Sequence, residues 1–316
     1  MAVALLAATA TAALAAGCTD HHGPAQDGRG RQQTPTPGQS QQLVSGTPVL
    51  AVKIDNAPAA RPQTGLDSAD VVYAEQVEGG LSRLMAVYAT TLPKVVGPVR
   101  SARESDLELL RQFHNPTLAF SGAQHKLLPL INSAPLQAEP PAKASGAYFR
   151  GTDRPAPHNL YLRPARLLAS PPGAKALTTG FRFGSAPAGG KPENRRTIRY
   201  PAAGFAFTWS ANLHRYLVAM DGTPTRTADG KPVAPATVVV QYVKVRQSAF
   251  HDVLGNNTPY TETVGSGKAQ VLRDGRVYDV NWQRRKATDG TQFTTKDGKP
   301  ANFAKGQVWV VLAKAP

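Results

Sequence analysis

The sequence predicts an α+β fold, in which a mixed α/β amino-terminal domain packs with an antiparallel, β-rich carboxy-terminal domain. In the first half, short β-branched runs alternate with helical patterns, whereas the second half consists of apolar runs separated by Asp-Gly dipeptides. The 27 prolines and 28 glycines among 316 residues favour many turns and few long helices.

The first predicted elements are a strand and a hairpin. The run "VLAVKI" (49–54) is β-branched, and residues 70–90 form two apolar runs around a Gly-Gly pair whose positions both accept positive φ. A two-residue turn there would place Gln76 opposite Arg83. Glu78 would then lie diagonally from Arg83 on one face of the sheet, within side-chain reach.

Two helices are predicted next. The clearer one is "ESDLELLRQF" (104–113), and two alternative capping boxes, at 101–104 and 105–108, have a serine followed by a glutamate three residues later. The second helix, "AQHKLLPLI" (123–131), is brief and is interrupted by Pro129. Since strands and helices alternate here, the first half reads as mixed α/β.

A Pro/Gly-rich connection at 171–195 is the best internal boundary. It divides an amino-terminal domain at 47–170 from a carboxy-terminal domain at 196–316. The second domain is predicted to form antiparallel hairpins, because Asp-Gly is a favoured turn dipeptide. Five Asp-Gly dipeptides occur there, beginning at Asp221, Asp229, Asp274, Asp289 and Asp297.

The amino-terminal segment predicts export and lipidation. Residues 1–17 are uncharged and rich in alanine, as in a signal peptide, and "LAAGC" resembles a bacterial lipobox ending at Cys18. Residues 18–46 are polar and rich in Gln, Gly and Pro, which predicts a disordered tether. We therefore expect an extracytoplasmic protein anchored to the bacterial cell membrane by a lipid on Cys18. Because Cys18 is the single cysteine, internal disulfides and cysteine-based zinc sites are excluded.

The positive charge is concentrated in the second half. Residues 47–170 contain 13 basic and 10 acidic residues, whereas residues 171–316 contain 21 basic and nine acidic ones. Outside the membrane, an excess of this kind attracts anionic lipid headgroups or phosphate-bearing wall polymers. A basic surface that only keeps the protein soluble is an equally good interpretation, and no nucleic-acid partner is expected for an exported protein.

No familiar catalytic or cofactor signature is present. The sequence lacks H-E-x-x-H, C-x-x-C and G-x-S-x-G, and "GSGK" (265–268) lacks both the first glycine and the final Ser or Thr of a phosphate-binding loop. The histidines show no metal-ligand spacing, although His158 in "HNLYL" is a candidate to orient a loop. We expect neither a cofactor nor a bound metal.

Polar residues in the first half gather at the ends of apolar runs, where binding sites are usually assembled. In "GPVRSARESD" two arginines stand where a helix begins, and the helix dipole disfavours cations there. They need a negative partner, which is either an internal carboxylate (Glu78, Glu75 or Asp55) or an external anion. The candidate ligand-binding residues are Asp55, Asn56, Arg61, Glu78, Arg83, Arg100 and Arg103.

Long motifs in both halves resemble one family. The stretch 52–90, followed by "GPVRSARESD", "AFSGAQ" and "HNLYL", is similar to the amino-terminal domain of the YerB-like bacterial lipoproteins. The motifs "FRFG", "TVVVQYV", "GSGKAQVLRDGRV", "NWQR" and "GQVWVVL" are similar to their carboxy-terminal domain. The resemblance covers residues 47–316 and implies an exported lipoprotein with an α/β core. It implies no established chemistry.

Three functions remain open from the sequence. An arginine-rich pocket would bind an anionic ligand or an envelope partner, since guanidinium groups suit carboxylate and phosphate. Alternatively, Glu78 or Asp55 would act as general base in an envelope hydrolase or transferase. The third possibility is a non-catalytic scaffold for envelope machinery. Whether the arginines form a pocket or a closed ion-pair network also stays open.

Overall fold

The structure is a computed structural model that describes residues 47–252 and 254–316. The predicted signal peptide at 1–17, the lipidation of Cys18 and the tether at 18–46 lie outside the described residues. Within the described part of the chain, no helix combines the length and the apolar character needed to cross a membrane.

The first half of the chain contributes seven short strands and two short α-helices. The strands are β1 (Leu50–Asp55), β2 (Val71–Gln76), β3 (Ser82–Tyr88), β4 (Thr117–Ala119), β5 (Gln137–Glu139), β6 (Tyr148–Arg150) and β7 (Leu160–Leu162). The helices are α1 (Glu104–Leu110) and α2 (Leu128–Ser133). The described chain is thus mostly β-strand, and the predicted mixed α/β character of this half is reduced to two helices of seven and six residues.

The second half is formed of strands in its described residues. They are β8 (Lys191–Pro192), β9 (Arg195–Tyr200), β10 (Ala203–Ser210), β11 (Arg215–Met220), β12 (Thr223–Pro224), β13 (Thr237–Val243), β14 (Val245–His251), β15 (Asn257–Thr261), β16 (Gly265–Arg273), β17 (Arg276–Arg284), β18 (Gln292–Thr294) and β19 (Val308–Lys314). Consecutive strands pair antiparallel as predicted, in β9–β10–β11 and in β16–β17.

One sheet of eleven strands runs through both halves of the chain. Its order is β18-β17-β16-β13-β19-β2-β3-β1-β4-β5, with β8 paired beside β17. The halves join where β19 lies parallel to β2 on one side and parallel to β13 on the other. The sheet is continuous across the two halves, and the predicted boundary at 171–195 stays a prediction.

Each face of this sheet carries its own apolar layer. On one face, Phe205 and Phe207 of the β9–β12 sheet pack on Trp309 of β19 with ring centroids 6.3 and 5.8 Å apart. On the other face, Leu109 of α1 and Ile131 of α2 are buried in a second cluster. Burial on both faces explains why β1 is buried throughout its length.

The predicted hairpin at 70–90 forms, but its register differs from the prediction. The loop is closed by the Val77 amide, which donates to the Leu81 carbonyl at 2.8 Å, so the turn is longer than two residues. Glu75 therefore pairs with Arg83, and Gln76 pairs with Ser82. The prediction that Gln76 faces Arg83 is wrong by one residue, and Glu78 belongs to the turn.

The two helices also differ from their predicted limits. Arg103 precedes α1, and its amide donates to Asp106 Oδ2 at 2.6 Å, so neither predicted serine capping box starts the helix. In α2, Pro129 lies in the first turn, where it needs no amide, and does not interrupt the helix.

Two of the five Asp-Gly dipeptides form the predicted turns with both residues at positive φ. At Asp229 and Asp297 only the following glycine has positive φ, and at Asp289 neither residue does. Asp274 and Gly275 join β16 to β17 with φ of 53° and 69°, and Asp221 and Gly222 follow β11 with φ of 51° and 83°. Positive φ at both central positions matches the right-handed twist of an antiparallel hairpin.

Candidate functional site

A cavity of about 650 Å³ lies at the end of the β2–β3 hairpin. Its walls come from the β2–β3 turn, from residues 100–104 before and at the start of α1, from the loop at 123–127 and from the tip of the β14–β15 hairpin. Four of the seven candidate residues line it, namely Glu78, Arg83, Arg100 and Arg103.

Arg103 and Glu78 form a closed pair in the cavity wall. Arg103 Nε donates to Glu78 Oε1 at 2.6 Å and Nη2 donates to Oε2 at 2.8 Å. The hydroxyl of Thr258, from β15, also donates to Glu78. Burial raises the pKa of Glu78, but the hydrogen bonds and charge of Arg103 outweigh it and hold this pKa below its usual range. Glu78 is therefore a weak base.

Asp55, at the end of β1, meets Arg100 and a histidine. Arg100 Nε lies 3.3 Å from Asp55 Oδ2, and His158 Nδ1 lies 2.8 Å from the same oxygen. The amide of Ala57 donates to the other oxygen at 3.1 Å. Asp55 thus contacts three internal partners, and the role of His158 in orienting a loop stays a prediction.

Arg61 and Asn56 lie elsewhere and do not line the cavity. Arg61 donates to the Asn56 carbonyl at 2.7 Å and reaches Asp221 Oδ2 at 2.8 Å, in the turn that follows β11. Asn56 Nδ2 donates to the hydroxyl of Ser82 at 2.9 Å. These two candidates therefore tie β1 to the second half of the chain.

Arg83 differs from the other candidate arginines. Its Nη1 donates to the Ser101 carbonyl at 3.1 Å, and among the described residues it forms no ion pair with a carboxylate. Burial, followed by the charge of Arg103, lowers the pKa of Arg83 to about 10, so the side chain stays charged at neutral pH. Of the four candidate arginines, Arg83 is therefore the one whose charge is least neutralised by a carboxylate.

A buried charge cluster lies on the same sheet face as Arg83, because Glu75 is its cross-strand partner. Lys53 Nζ contacts Glu75 and lies 2.7 Å from Asp106 Oδ1, and the hydroxyl of Ser105 donates to Glu75 at 3.0 Å. Lys53, Glu75 and Asp106 are all nearly inaccessible to solvent. Burial raises the pKa of Glu75 to about 7, against the opposing effect of Lys53.

Sequence reasoning missed several of these contacts. The sequence indicates no partner for Asp106, which contacts Lys53, and none for Thr258, which lies 180 residues from Glu78 along the chain. Lys53 and Asp55 are two residues apart in β1, so their side chains lie on the same face of the sheet. This spacing is the sequence signal that could have placed the buried cluster near the cavity. Among residues 47–252 and 254–316, no group of three or more His, Cys, Asp or Glu side chains is arranged to hold a metal ion.

Comparisons with known proteins give a consistent result. "Putative lipoprotein YerB" of Bacillus subtilis (strain 168) is 26% identical over 283 residues, which is 86% of this chain and 82% of that protein. The crystal structure of the YerB protein from Bacillus subtilis has the same fold, with a TM-score of 0.69 and 23% identity over 87% of this chain and 93% of that chain.

Two family models match adjoining parts of the chain. Residues 33–177 match the N-terminal domain of a protein of unknown function, DUF3048, and residues 196–310 match its C-terminal domain. Together they cover most of the sequence, as the motif resemblance predicted. The chain belongs to the DUF3048 family of YerB-like proteins, whose function is unknown.

Proposed function

We propose that this chain is an envelope lipoprotein that binds an anionic group in the cavity through Arg83 and Arg100. The observation that carries the proposal is the uneven pairing of the arginines. Arg103 is closed by Glu78 and Arg61 by Asp221, whereas Arg83 has no carboxylate partner among the described residues. A charged guanidinium that is partly buried and lacks a counterion is stabilised by an incoming anion.

Unused hydrogen-bond donors support the same proposal. Arg83 uses Nη1 and Arg100 directs Nε toward Asp55. Their remaining nitrogens make no hydrogen bond within the described protein, and none of them is among the fully enclosed polar atoms that lack a partner. They therefore face accessible space, and forked donors of this type suit carboxylate and phosphate oxygens.

The acidic residues of the cavity wall do not compete for these donors. Glu78 is bound by Arg103, Glu104 accepts a hydrogen bond from Ser248, and Asp252 accepts from the amides of Leu254 and Asn256 at 2.9 Å each. With its carboxylates occupied by internal donors, the cavity offers cationic donors to a ligand.

The cellular location that we propose is supported by one relative and by the sequence. YerB is named a "putative lipoprotein", and residues 1–18 of this chain are predicted to be a signal segment that ends at a lipidated Cys18. A lipid on Cys18 would hold the cavity outside the cell membrane, where phosphate-bearing polymers, anionic headgroups and acidic envelope proteins are the available partners.

Calorimetric titration with inorganic phosphate and with ethyl phosphate tests the proposal. Wild type should bind both, and Arg83→Gln with Arg100→Gln should weaken binding at least tenfold, because charge-assisted hydrogen bonds contribute about 1.5–3 kcal/mol each. The matched control is Arg195→Gln with Arg285→Gln, which removes two exposed arginines and the same net charge. Absence of saturable binding to wild type, or equal loss in both double variants, would overturn the proposal.

A further inference from the structure

The cavity that contains Arg83 also has an apolar rim. The described chain has five large hydrophobic side chains that are well exposed: Leu81, Leu130, Phe183, Leu213 and Leu254. Two of them line this cavity, Leu81 with 41% of its surface exposed and Leu254 with 83%. Single exposed hydrophobic residues need no explanation, but two at the mouth of one charged cavity form a local feature.

Further apolar side chains continue from the rim into the walls. Val77 lies beside the β2–β3 turn, Leu127 comes from the loop before α2 and Phe250 from β14. Val77 and Leu127 are buried, whereas Phe250 is partly buried. The cavity therefore offers its guanidinium donors and a connected apolar surface to the same occupant.

The apolar part contributed by β14 and β15 is held in place by polar contacts at both strands. Ser248 donates to Glu104 of α1, Thr258 donates to Glu78 of the β2–β3 turn, and His251 Nδ1 lies 3.2 Å from Gln124 Nε2. These contacts anchor the hairpin over the cavity from three different elements. Phe250 and Leu254 are thereby presented to the ligand by a supported hairpin.

We propose that the ligand of this cavity is an anionic amphiphile, with one phosphate or carboxylate head on Arg83 and Arg100 and an aliphatic chain against Leu81, Leu254 and Phe250. The inference rests on the proposed anion binding and adds the chemical class of the ligand. A volume of about 650 Å³ lies within the usual range for small-ligand sites, so the head and part of a chain fit together.

A series of alkyl phosphates separates the two contributions. Full burial of one methylene strengthens binding about fourfold, and partial burial at an open rim gives less. We therefore expect octyl phosphate, used below its micelle-forming concentration, to bind wild type at least tenfold more tightly than ethyl phosphate. Octyl glucoside, which has the chain without the anion, should bind at least tenfold more weakly than octyl phosphate.

Two double variants test whether the alkyl chain of the ligand binds at the apolar rim. Leu81→Ser with Leu254→Ser should reduce octyl phosphate binding toward the ethyl phosphate value while leaving ethyl phosphate binding within twofold of wild type. Leu130→Ser with Leu213→Ser is the matched control, because these leucines are exposed by 45% and 49% and lie outside the cavity. The control should keep the full preference for octyl phosphate.

The outcomes distinguish the two proposals. Equal binding of ethyl and octyl phosphate by wild type overturns the amphiphile and leaves anion binding standing. If the variant with Leu81→Ser and Leu254→Ser still prefers octyl phosphate, the alkyl chain of the ligand does not bind at these leucines, and the inference is overturned as well. Failure of both phosphates to bind, or binding of octyl glucoside as tight as octyl phosphate, removes the anion site on which the inference rests.

Discussion

Arg103 and Glu78 are joined by two parallel hydrogen bonds of 2.6 and 2.8 Å, between the residue that precedes α1 and the turn that follows β2. Their side chains are exposed by only 12% and 6%. This pair answers the question that the arginines of "GPVRSARESD" raise, since one of them meets an internal carboxylate and the other, Arg100, stays partly available to the cavity.

Breaking this pair should destabilise the protein strongly. Arg103→Ala leaves the Glu78 carboxylate buried without its cation, and we expect the free energy of unfolding to fall by about 3 kcal/mol. Adding Glu78→Gln to Arg103→Ala should recover part of the loss. Urea denaturation of both single variants and the double variant measures the coupling.

The control for this cycle is Lys299→Ala, which breaks the pair with Asp297, and these two side chains are 79% and 59% exposed. It should cost less than about 1 kcal/mol. If the Arg103 and Glu78 effects add without coupling, the two-bond pair does not stabilise the fold.

The two glycines of the β2–β3 turn should respond differently to alanine. Both have positive φ, but a Cβ at Gly80 would lie 2.6 Å from Pro201 Cβ, whereas a Cβ at Gly79 meets nothing within 4 Å. We expect Gly79→Ala to cost about 1 kcal/mol from backbone strain and Gly80→Ala at least about 1 kcal/mol more from the clash. Thermal unfolding of both variants checks the order, and equal costs would mean that the Pro201 turn moves away freely.

Glu75 should make stability depend on pH. Its pKa is raised from 4.5 to about 7, chiefly by burial, so the native state binds more protons than the unfolded state between these values. The free energy of unfolding contributed by this group should therefore fall as the pH rises from about 4.5 to about 7 and stay low above it.

Glu75→Gln keeps the neutral form and should flatten that part of the pH profile. Urea denaturation at half-unit intervals from pH 4.5 to 8 compares it with wild type and with Glu139→Gln, a carboxylate whose partner Lys143 is exposed. Parallel profiles for wild type and Glu75→Gln would contradict the prediction.

Arg284 should be essential for the packing of α1 against the sheet, and its loss should lower the free energy of unfolding. It is fully buried and donates to the carbonyls of Glu108, Asp289 and Ala287 and to the hydroxyl of Thr263. Arg284→Met would leave several buried acceptors unpaired, each costing about 1–3 kcal/mol, so a total loss of at least about 3 kcal/mol is expected.

The neighbouring Arg285→Met provides the comparison, because Arg285 is exposed and donates to Gln283 at 3.0 Å. Its cost should stay within about 0.5 kcal/mol. Guanidinium denaturation of the Arg284→Met and Arg285→Met variants measures the two costs. Similar midpoints would show that the packing of α1 does not require Arg284.

Local features of the fold were predictable, whereas distant contacts were not. The β1 strand and the Asp-Gly turns follow from side-chain shape and backbone preference over a few residues. The β2–β3 register was misjudged because Gly79 and Gly80 permit more than one loop length, and the bond from Val77 to Leu81 selects the longer one. A one-residue error exchanges the cross-strand partner of Arg83.

Four of the seven candidate residues line the cavity, but the sequence did not indicate which of their charges are paired. The clustering of Arg83, Arg100 and Arg103 near Glu78 follows from their positions at strand ends, but which of them is neutralised depends on side-chain geometry. Contacts from Thr258 and Ser248 join segments that are distant in sequence, and no periodicity in either segment encodes them.

The position of β19 between β13 and β2 has a consequence for the order in which the molecule is completed. Its partner β2 comes from near the start of the described chain, so the central sheet closes only after nearly all of that chain is available, and closing such a long loop slows folding. Proteolytic cleavage within 171–195 would give two fragments. The amino-terminal fragment would have β2 as an unpaired edge strand, and the carboxy-terminal fragment would have β19. Because β2 and β19 pair in the intact sheet, the two fragments should reassociate when they are mixed.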